Sequence, residues 1–163
     1  MDTKAKTIAI PDKMTFDGIT YKVTSIAANA LKNHKTVTTV TIGKYVTSIG
    51  SSAFSGCTKL KKVTFGKSVT TIGSKAFYKC TSLTGITIPS KVKKIGDYAF
   101  RGCSKMKTIK LNTTLLTTKT VSDKAFFGVS TDAVVKVPTS KYKTYQKLLV
   151  KKGLSEKITI KKL

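Results

Sequence analysis

Residues from which catalytic sites are commonly built are scarce in this chain. Its 163 residues include one histidine, His34, and seven acidic residues that occur singly along the sequence. No cysteine has an activating base near it in sequence, and there is no glycine-rich phosphate loop. The sequence therefore predicts a protein that is not an enzyme and that uses no cofactor.

Cysteine is also scarce, and its spacing argues against a disulfide framework and against a zinc site. Cys57, Cys80 and Cys103 follow one another at intervals of 23 residues, and His34 stands 23 residues before Cys57. If these units pair as strands, the four side chains stack about 4.8 Å apart. The flanking residues favour an inward position, where cysteine behaves as a small apolar residue. We expect buried free thiols and no metal.

Long apolar runs are absent. None approaches the roughly 20 residues that a membrane-spanning helix needs, so no membrane span is expected. The first 13 residues alternate charge with single apolar residues and lack the basic-then-apolar order of a secretory leader. We expect a soluble chain that is either intracellular or a mature or excised segment.

Charge of one sign is plentiful. The chain has 31 basic residues against seven acidic ones, a formal net charge of +24, and such a balance attracts polyanions. All but one of the basic residues are lysine, the exception being Arg101. Because arginine makes the bidentate contacts to phosphate and bases, a site that reads nucleic-acid sequence is not expected. Lysine that merely keeps the surface soluble explains the excess equally well.

The dominant feature of the chain is a repeat of 23 residues. Residues 46–68 and 69–91 align column by column, and residues 92–103 begin a third copy. A fixed period of about 20 to 50 residues is the signature of a solenoid. The aligned apolar columns are Val46, Val69 and Val92; Ile49, Ile72 and Ile95; Phe54, Phe77 and Phe100; Cys57, Cys80 and Cys103; Leu60, Leu83 and Met106; Val63, Ile86 and Ile109; and Phe65, Ile88 and Leu111.

Each part of the repeat has a physical interpretation. The pattern Leu-x-x-Val-x-Ile places two residues on the inner face of a short strand. The Ala-Phe-x-x-Cys segment is spaced for one helical turn that directs Phe and Cys into the core. We therefore interpret the phenylalanine column, which Phe126 extends, as core and not as an aromatic stack for a ligand.

The two ends of the chain depart from the period. Nine extra residues near Phe16-Asp17-Gly18-Ile19 predict an inserted β-hairpin that covers the open end of the core. Three extra residues lie in 115–121. After Pro138, Ser140 is the expected N-cap of a helix that ends at Gly153, and Ile158 and Ile160 return 23 residues beyond Val135 and Val137.

The predicted architecture is an α/β solenoid with seven short parallel strands on one face, near residues 8, 40, 63, 86, 109, 135 and 158. We expect one domain over residues 1–163. Within it, 1–45 form an N-terminal cap and degenerate repeat, 46–111 the regular repeats, 112–137 a repeat with an insertion, and 138–163 a helix-strand C-terminal cap.

The motif Val-x-x-Ile-Gly-x-x-Ala-Phe-x-x-Cys-x-x-Leu-x-x-Val-x-Ile-Pro resembles the BspA-like leucine-rich repeats, and the resemblance covers residues 8–137. It implies a right-handed leucine-rich-repeat solenoid from a secreted or cell-surface protein, typically bacterial and often used in adhesion to host proteins or surfaces. Residues 138–160 also resemble the end unit of that family. The departures, such as Leu31 for Phe and Asp132 for Leu, fall in the end units.

A binding surface is expected on the outward positions of the strands, which are rich in lysine and threonine and contain no aromatic residue. Because sugars and bases stack on aromatic rings, an acidic protein or a polyanionic surface fits better. A purely structural origin, in which threonine serves β-propensity and lysine blunts the sheet, is equally compatible. The candidate residues are Thr38, Thr39, Thr41, Lys61, Lys62, Thr64, Thr84, Thr87, Lys107, Thr108, Lys110 and Lys136.

Two functions follow as hypotheses. The first is a non-enzymatic binding module of a secreted or cell-surface protein, which mediates adhesion or protein-protein interaction through this Lys/Thr strand face. The second is a structural spacer or envelope-retention module that holds anionic wall polymer or polysaccharide by diffuse positive charge. Specific nucleic-acid binding is not expected. A second lysine strip at Lys44, Lys67 and Lys91 is interpreted as solvated charge.

Overall fold

The computed structural model describes residues 5–163, which wind into successive coils with a short strand on each of two sides. The elements, in chain order, are β1 (Thr7–Ile10), β2 (Lys13–Phe16), β3 (Ile19–Lys22), β4 (Ser25–Ile26), β5 (Thr39–Ile42), β6 (Ser48–Ile49), β7 (Lys62–Thr64), β8 (Thr71–Ile72), β9 (Gly85–Ile88), β10 (Lys94–Ile95), β11 (Thr108–Leu111), β12 (Val134–Val137), a 3-10 turn (Thr139–Lys141), α1 (Tyr142–Lys151) and β13 (Thr159–Lys162).

One side of the solenoid carries the seven expected parallel strands. They pair in the order β1-β5-β7 and, after an interruption, β9-β11-β12-β13. Ile8 pairs with Val40 and Ile109 pairs with Val135. The chain steps of 32 and 26 residues therefore contain insertions that loop out without shifting the register, as the sequence predicts.

The opposite side carries the two-residue strands β4, β6, β8 and β10, which also pair in parallel. The isoleucine column lies in register across them, and Val121 continues it by a bridge to Ile95. The glycine that follows Ile49, Ile72 and Ile95 is required because the coils approach closely. A Cβ on Gly73 would lie 2.8 Å from the Ile49 carbonyl oxygen and from the Ser51 nitrogen.

The phenylalanine column forms a continuous stack in the core. Phe54, Phe77, Phe100 and Phe126 are fully buried, and consecutive ring centroids lie 5.1, 5.4 and 5.5 Å apart with nearly parallel planes. Each ring thus covers the ring of the next coil, so the coils stabilise one another. The assignment of this column to the core is confirmed.

The three cysteines of the cysteine column are buried as free thiols. The prediction of buried free thiols is confirmed. Each Sγ donates to a main-chain carbonyl of the preceding coil, at 3.0 Å for Cys57, 3.1 Å for Cys80 and 3.2 Å for Cys103. Burial raises the pKa of Cys57 to about 11 and that of Cys103 to about 12, and it raises the pKa of Cys80 further. Since the thiolate is the reactive form, these groups are protected.

We expect the three thiols to be unreactive toward a disulfide reagent such as DTNB in the native protein at about pH 8, near the pKa of a free thiol. After unfolding in guanidinium, all three should react at the rate of an exposed cysteine. The measurement is the absorbance of the released thiolate with time. A fast native phase for any thiol would contradict its placement in the core.

The Ala-Phe-x-x-Cys segment does not form the expected helical turn. Lys75 and Lys79 have φ of 56° and 54°, and such left-handed residues interrupt a helix. The Phe77 N–H donates to the Ala99 carbonyl of the following coil, at 2.8 Å, instead of to its own turn. The segment therefore joins neighbouring coils by main-chain hydrogen bonds, a pattern that apolar spacing alone does not distinguish from a helical turn.

The inserted hairpin is present as β2 and β3, but it does not cover the core. All eight strand residues are exposed, Phe16 to 78% and Met14 to 59%. The antiparallel pairing separates an apolar face from a polar face. The apolar face consists of Met14, Phe16, Ile19 and Tyr21, and the polar face of Lys13, Thr15, Thr20 and Lys22. The expectation of a hairpin cap is wrong.

Contacts on the polar side orient the hairpin. Lys22 Nζ lies 5.0 Å from the centre of the Tyr45 ring in the next coil. At the base of the hairpin, the Lys44 N–H donates to the Asp12 carboxylate at 2.7 Å, which lowers the pKa of that carboxyl. The apolar face is thereby turned away from Tyr45. Alternating apolar residues predict the hairpin but not what its apolar face contacts.

The C-terminal helix is present, with two corrections. Ser140 is not its N-cap, because it lies inside the 3-10 turn that follows Pro138 and its side chain caps no N–H. The strand after the helix pairs Val135 with Ile160, not with Ile158. The 3-10 turn and α1 lengthen this coil beyond the 23-residue step, and Ile158 is buried just before β13.

Tyr145 of α1 fixes the polar insertion of the preceding coil. Its buried hydroxyl accepts the Leu116 N–H and donates to the Thr113 carbonyl, both at 3.1 Å. Burial raises the pKa of this phenol. Helical spacing predicts that Tyr145 faces the core, whereas its hydroxyl partners lie about 30 residues earlier and leave no local sequence pattern.

We expect Tyr145→Phe to lower the free energy of unfolding by about 1–3 kcal/mol, because both main-chain groups lose their partner while buried. Tyr142→Phe is the matched control, since that ring is half-buried. Its hydroxyl donates to the Ile160 carbonyl at a longer 3.3 Å and accepts from the half-buried Gln146 side chain, not from a buried main-chain N–H. Urea unfolding of both variants measures the difference. Equal destabilisation would show that the Tyr145 hydroxyl does not hold the insertion.

Candidate interaction face

The twelve candidate residues lie on the parallel strands or directly before them, and we call the surface that they form the strand face. In β5 and β9, inward residues are buried, and the residues between them point outward. Of the twelve, Thr38, Thr39 and Lys110 are half-buried and the other nine are exposed. The strand face is thus a sheet surface on which no candidate residue lies in the core.

The register brings the outward side chains of neighbouring strands together in rows. Thr41 pairs with Thr64, Thr87 with Lys110, and Lys110 with Lys136. Lys161 continues the lysine row because it pairs with Lys136. Sequence reasoning missed Lys161 because it placed the last strand two residues out of register. Adjacent strands lie about 4.8 Å apart, so the row holds three ammonium groups on consecutive strands.

The strand face carries positive charge without a compensating acid. The ion pairs found among residues 5–163 are Lys44 with Asp12 and Lys152 with Asp123, and neither involves a strand-face residue. Like charges on directly paired strands destabilise a sheet. The row from Lys110 to Lys161 therefore has a cost in stability that the fold itself does not require.

The threonine hydroxyls stabilise the sheet, and their oxygen atoms can also accept hydrogen bonds from a ligand. Thr38 Oγ1 donates to the Lys6 carbonyl at 3.0 Å, and Thr84 Oγ1 donates to the Lys61 carbonyl at 3.4 Å. Each hydroxyl oxygen can still accept a hydrogen bond from a ligand. Threonine therefore serves the sheet and leaves acceptors beside the lysines.

Other candidate sites do not assemble. His34 Nδ1 accepts the Val37 N–H at 3.2 Å, a local structural role. Within the part of the chain that the structure describes, no three His, Cys, Asp or Glu side chains group so as to hold a metal ion. Nor does any helix in residues 5–163 have the length and apolarity to cross a membrane. The strand face remains the candidate binding surface that the sequence predicts.

Stacked parallel strands on one side, a second row of short strands opposite and a C-terminal helix define a leucine-rich-repeat solenoid. The family model of the BspA type leucine rich repeat region matches residues 24–150 in six copies. The chain belongs to this family, as its motif indicates. Leucine-rich-repeat proteins of this bacterial surface type are interaction scaffolds, so the chain is a protein-interaction module.

Solved structures of bacterial leucine-rich-repeat proteins are similar. One from Bacteroides capillosus is 33% identical over 66% of this chain and 77% of its own length, with a TM-score of 0.61. A leucine rich cell surface protein from Faecalibacterium prausnitzii is 28% identical over 82% of this chain and 38% of its own, with a TM-score of 0.60. The T. pallidum leucine rich repeat protein is 24% identical over 89% of this chain and 84% of its own length. Its TM-score is 0.59, and it supports the fold.

Among curated proteins, no sequence matches significantly. The chain spans a little more than a third of the Faecalibacterium protein and about three quarters of the Bacteroides protein.

Proposed function

We propose that the chain is a binding module of a secreted or surface-attached bacterial protein, and that it mediates adhesion by holding an acidic region of a partner protein on the strand face. The observation that carries this proposal is the uncompensated lysine on a sheet surface lined with hydroxyl groups. The 28% identity to a cell surface protein supports the location.

A protein partner fits the strand face better than a sugar or a base does. The twelve residues of the strand face are all lysine or threonine. They therefore offer no aromatic ring on which a sugar or a base could stack. Lysine and threonine match the carboxylates and main-chain groups of a protein surface. Charge complementarity of this kind accelerates association and selects against basic partners.

The second candidate is retention in the cell envelope by diffuse charge. It is favoured by the exposure of lysines far from the strand face, such as Lys93, Lys94 and Lys119. A module of this kind would hold anionic wall polymer or polysaccharide without a defined contact surface. The two candidates differ in how binding depends on salt.

We expect a specific protein partner to stay bound when salt is raised from about 0.15 M to about 1 M, where the Debye length falls from about 8 Å to about 3 Å. If the chain instead holds polymers by diffuse charge, binding should weaken steeply as the salt concentration rises and should not depend on the composition of the polymer. The measurement is capture of host extracellular proteins, and of purified polyanions, at the two salt concentrations. Capture of the polyanions alone, lost at high salt, would contradict the adhesion proposal.

A further inference from the structure

The parallel sheet of the strand face is interrupted at one place, between β7 and β9. The other neighbouring strands on that face pair over three or four residues. Beside β7 and β9, the Thr84 N–H donates to the Lys61 carbonyl at 3.3 Å, just before both strands begin, while the same two coils are joined elsewhere, as by the Phe54 N–H to the Ala76 carbonyl at 2.8 Å.

Two residues stand at the interruption. Phe65 stands in a column where the residues of the flanking coils are Ile42 and Ile88, and its larger ring meets Phe77 edge-on at 5.8 Å. Pro89 has no N–H to donate to the Phe65 carbonyl. The residue one period later, Asn112, makes that bond to the Ile88 carbonyl at 3.0 Å.

The interruption opens a groove of about 630 Å³ across the coils. Its size falls within the range of about 300–1,000 Å³ that is usual for ligand pockets. Phe65 and Pro89 provide an apolar floor, while Lys62, Lys67 and Lys91 line it with ammonium groups. None of the residues that line this groove is acidic. Two of the lysines belong to the strip that the sequence assigns to solvated charge.

We propose that this groove binds an extended acidic segment of a partner protein, with a carboxylate among the three lysines and an apolar side chain on Phe65. The inference rests on the proposed function and names the part of the partner that is recognised.

The chemistry of the groove favours a peptide over a polymer held by charge. A polyanion would use the lysines alone and leave the ring of Phe65 without a role. Phe65 is half-buried and therefore offers a patch suited to an apolar side chain, not an open ring face for sugar stacking. A peptide that alternates acidic and apolar residues satisfies both kinds of contact.

The test uses a fluorescent peptide of alternating Glu and Val, and a matched peptide with Gln in place of Glu. We expect the Glu peptide to bind the native protein at least about tenfold more tightly than the Gln peptide, and Lys67→Glu with Lys91→Glu to weaken it by about tenfold or more. The control is Lys93→Glu with Lys94→Glu. These lysines are exposed, lie outside the groove and change the net charge equally.

Amide chemical-shift changes on adding the Glu peptide to the native protein give a second readout. This measurement needs no substitution and so cannot be affected by a variant that fails to fold. The groove predicts the largest shifts at Thr64, Phe65 and Thr87. Equal weakening by the two double variants, equal binding of the Gln peptide, or shifts spread evenly over the strand face would overturn the inference. If substitution of Lys107 and Lys110 abolished partner binding and substitution of Lys67 and Lys91 had no effect, the groove would be excluded as the binding site. The proposal that the partner binds the strand face would be unaffected.

Discussion

Replacing Phe77 by alanine is expected to lower the free energy of unfolding by about 3–5 kcal/mol, the usual cost of removing a buried phenylalanine. Phe77 is fully buried and lies between Phe54 and Phe100, with ring centroids 5.1 and 5.4 Å away. Its loss removes contacts on both sides at once. Since each coil contacts only its neighbours, the cavity weakens the junctions that hold the two halves of the solenoid together.

The control for this prediction is the same chemical change at Phe16. That side chain is 78% exposed on the hairpin, so Phe16→Ala should change the unfolding free energy by no more than about 0.5 kcal/mol. Guanidinium unfolding followed by circular dichroism measures both variants. Similar destabilisation by the two changes would contradict both the phenylalanine stack and the exposed hairpin.

The repeat allows the centre of the chain to be predicted well because its columns constrain one another. Three copies that agree on Phe54, Phe77 and Phe100 determine which residues face inward, and with them the outward positions of the strand face. The insertions near residues 17 and 118 were located because the columns resume after them. The same alternation predicts the outward direction of the candidate residues that lie within the strands, such as Thr41, Thr64 and Thr87.

The ends are predicted less well because they lack neighbours on one side. The apolar alternation from Met14 to Tyr21 predicts a hairpin correctly, but it does not determine whether the apolar face is covered. At the other end, the return to Ile158 satisfies the period, whereas the 3-10 turn shifts the pairing to Ile160. The 23-residue spacing of apolar residues does not by itself reveal this two-residue change in strand register.

The interruption of the sheet shows a different limit. Phe65 in an isoleucine column and Pro89 after a strand are both visible in the sequence, and each alone fits the repeat. Only the stacking of the coils places them side by side, where both line the groove beside the interrupted ladder. The groove is therefore a property of a pair of coils that a motif for a single coil does not contain.

The central claim, that the strand face binds an acidic partner, is tested most directly by charge reversal. The variant carries glutamate in place of Lys61, Lys62, Lys107 and Lys110. The control carries glutamate in place of Lys93, Lys94, Lys119 and Lys143, which are exposed outside the strand face. Both remove the same positive charge, and matching unfolding midpoints would establish that both are folded.

The decisive measurement is the affinity of these two variants for a partner protein that remains bound at high salt. The strand face predicts that binding is abolished in the first variant and changes by less than about threefold, or 0.7 kcal/mol, in the second. Equal losses in the two variants would show that diffuse charge is responsible. Unchanged binding in the first variant would contradict the claim and place the site elsewhere on the solenoid.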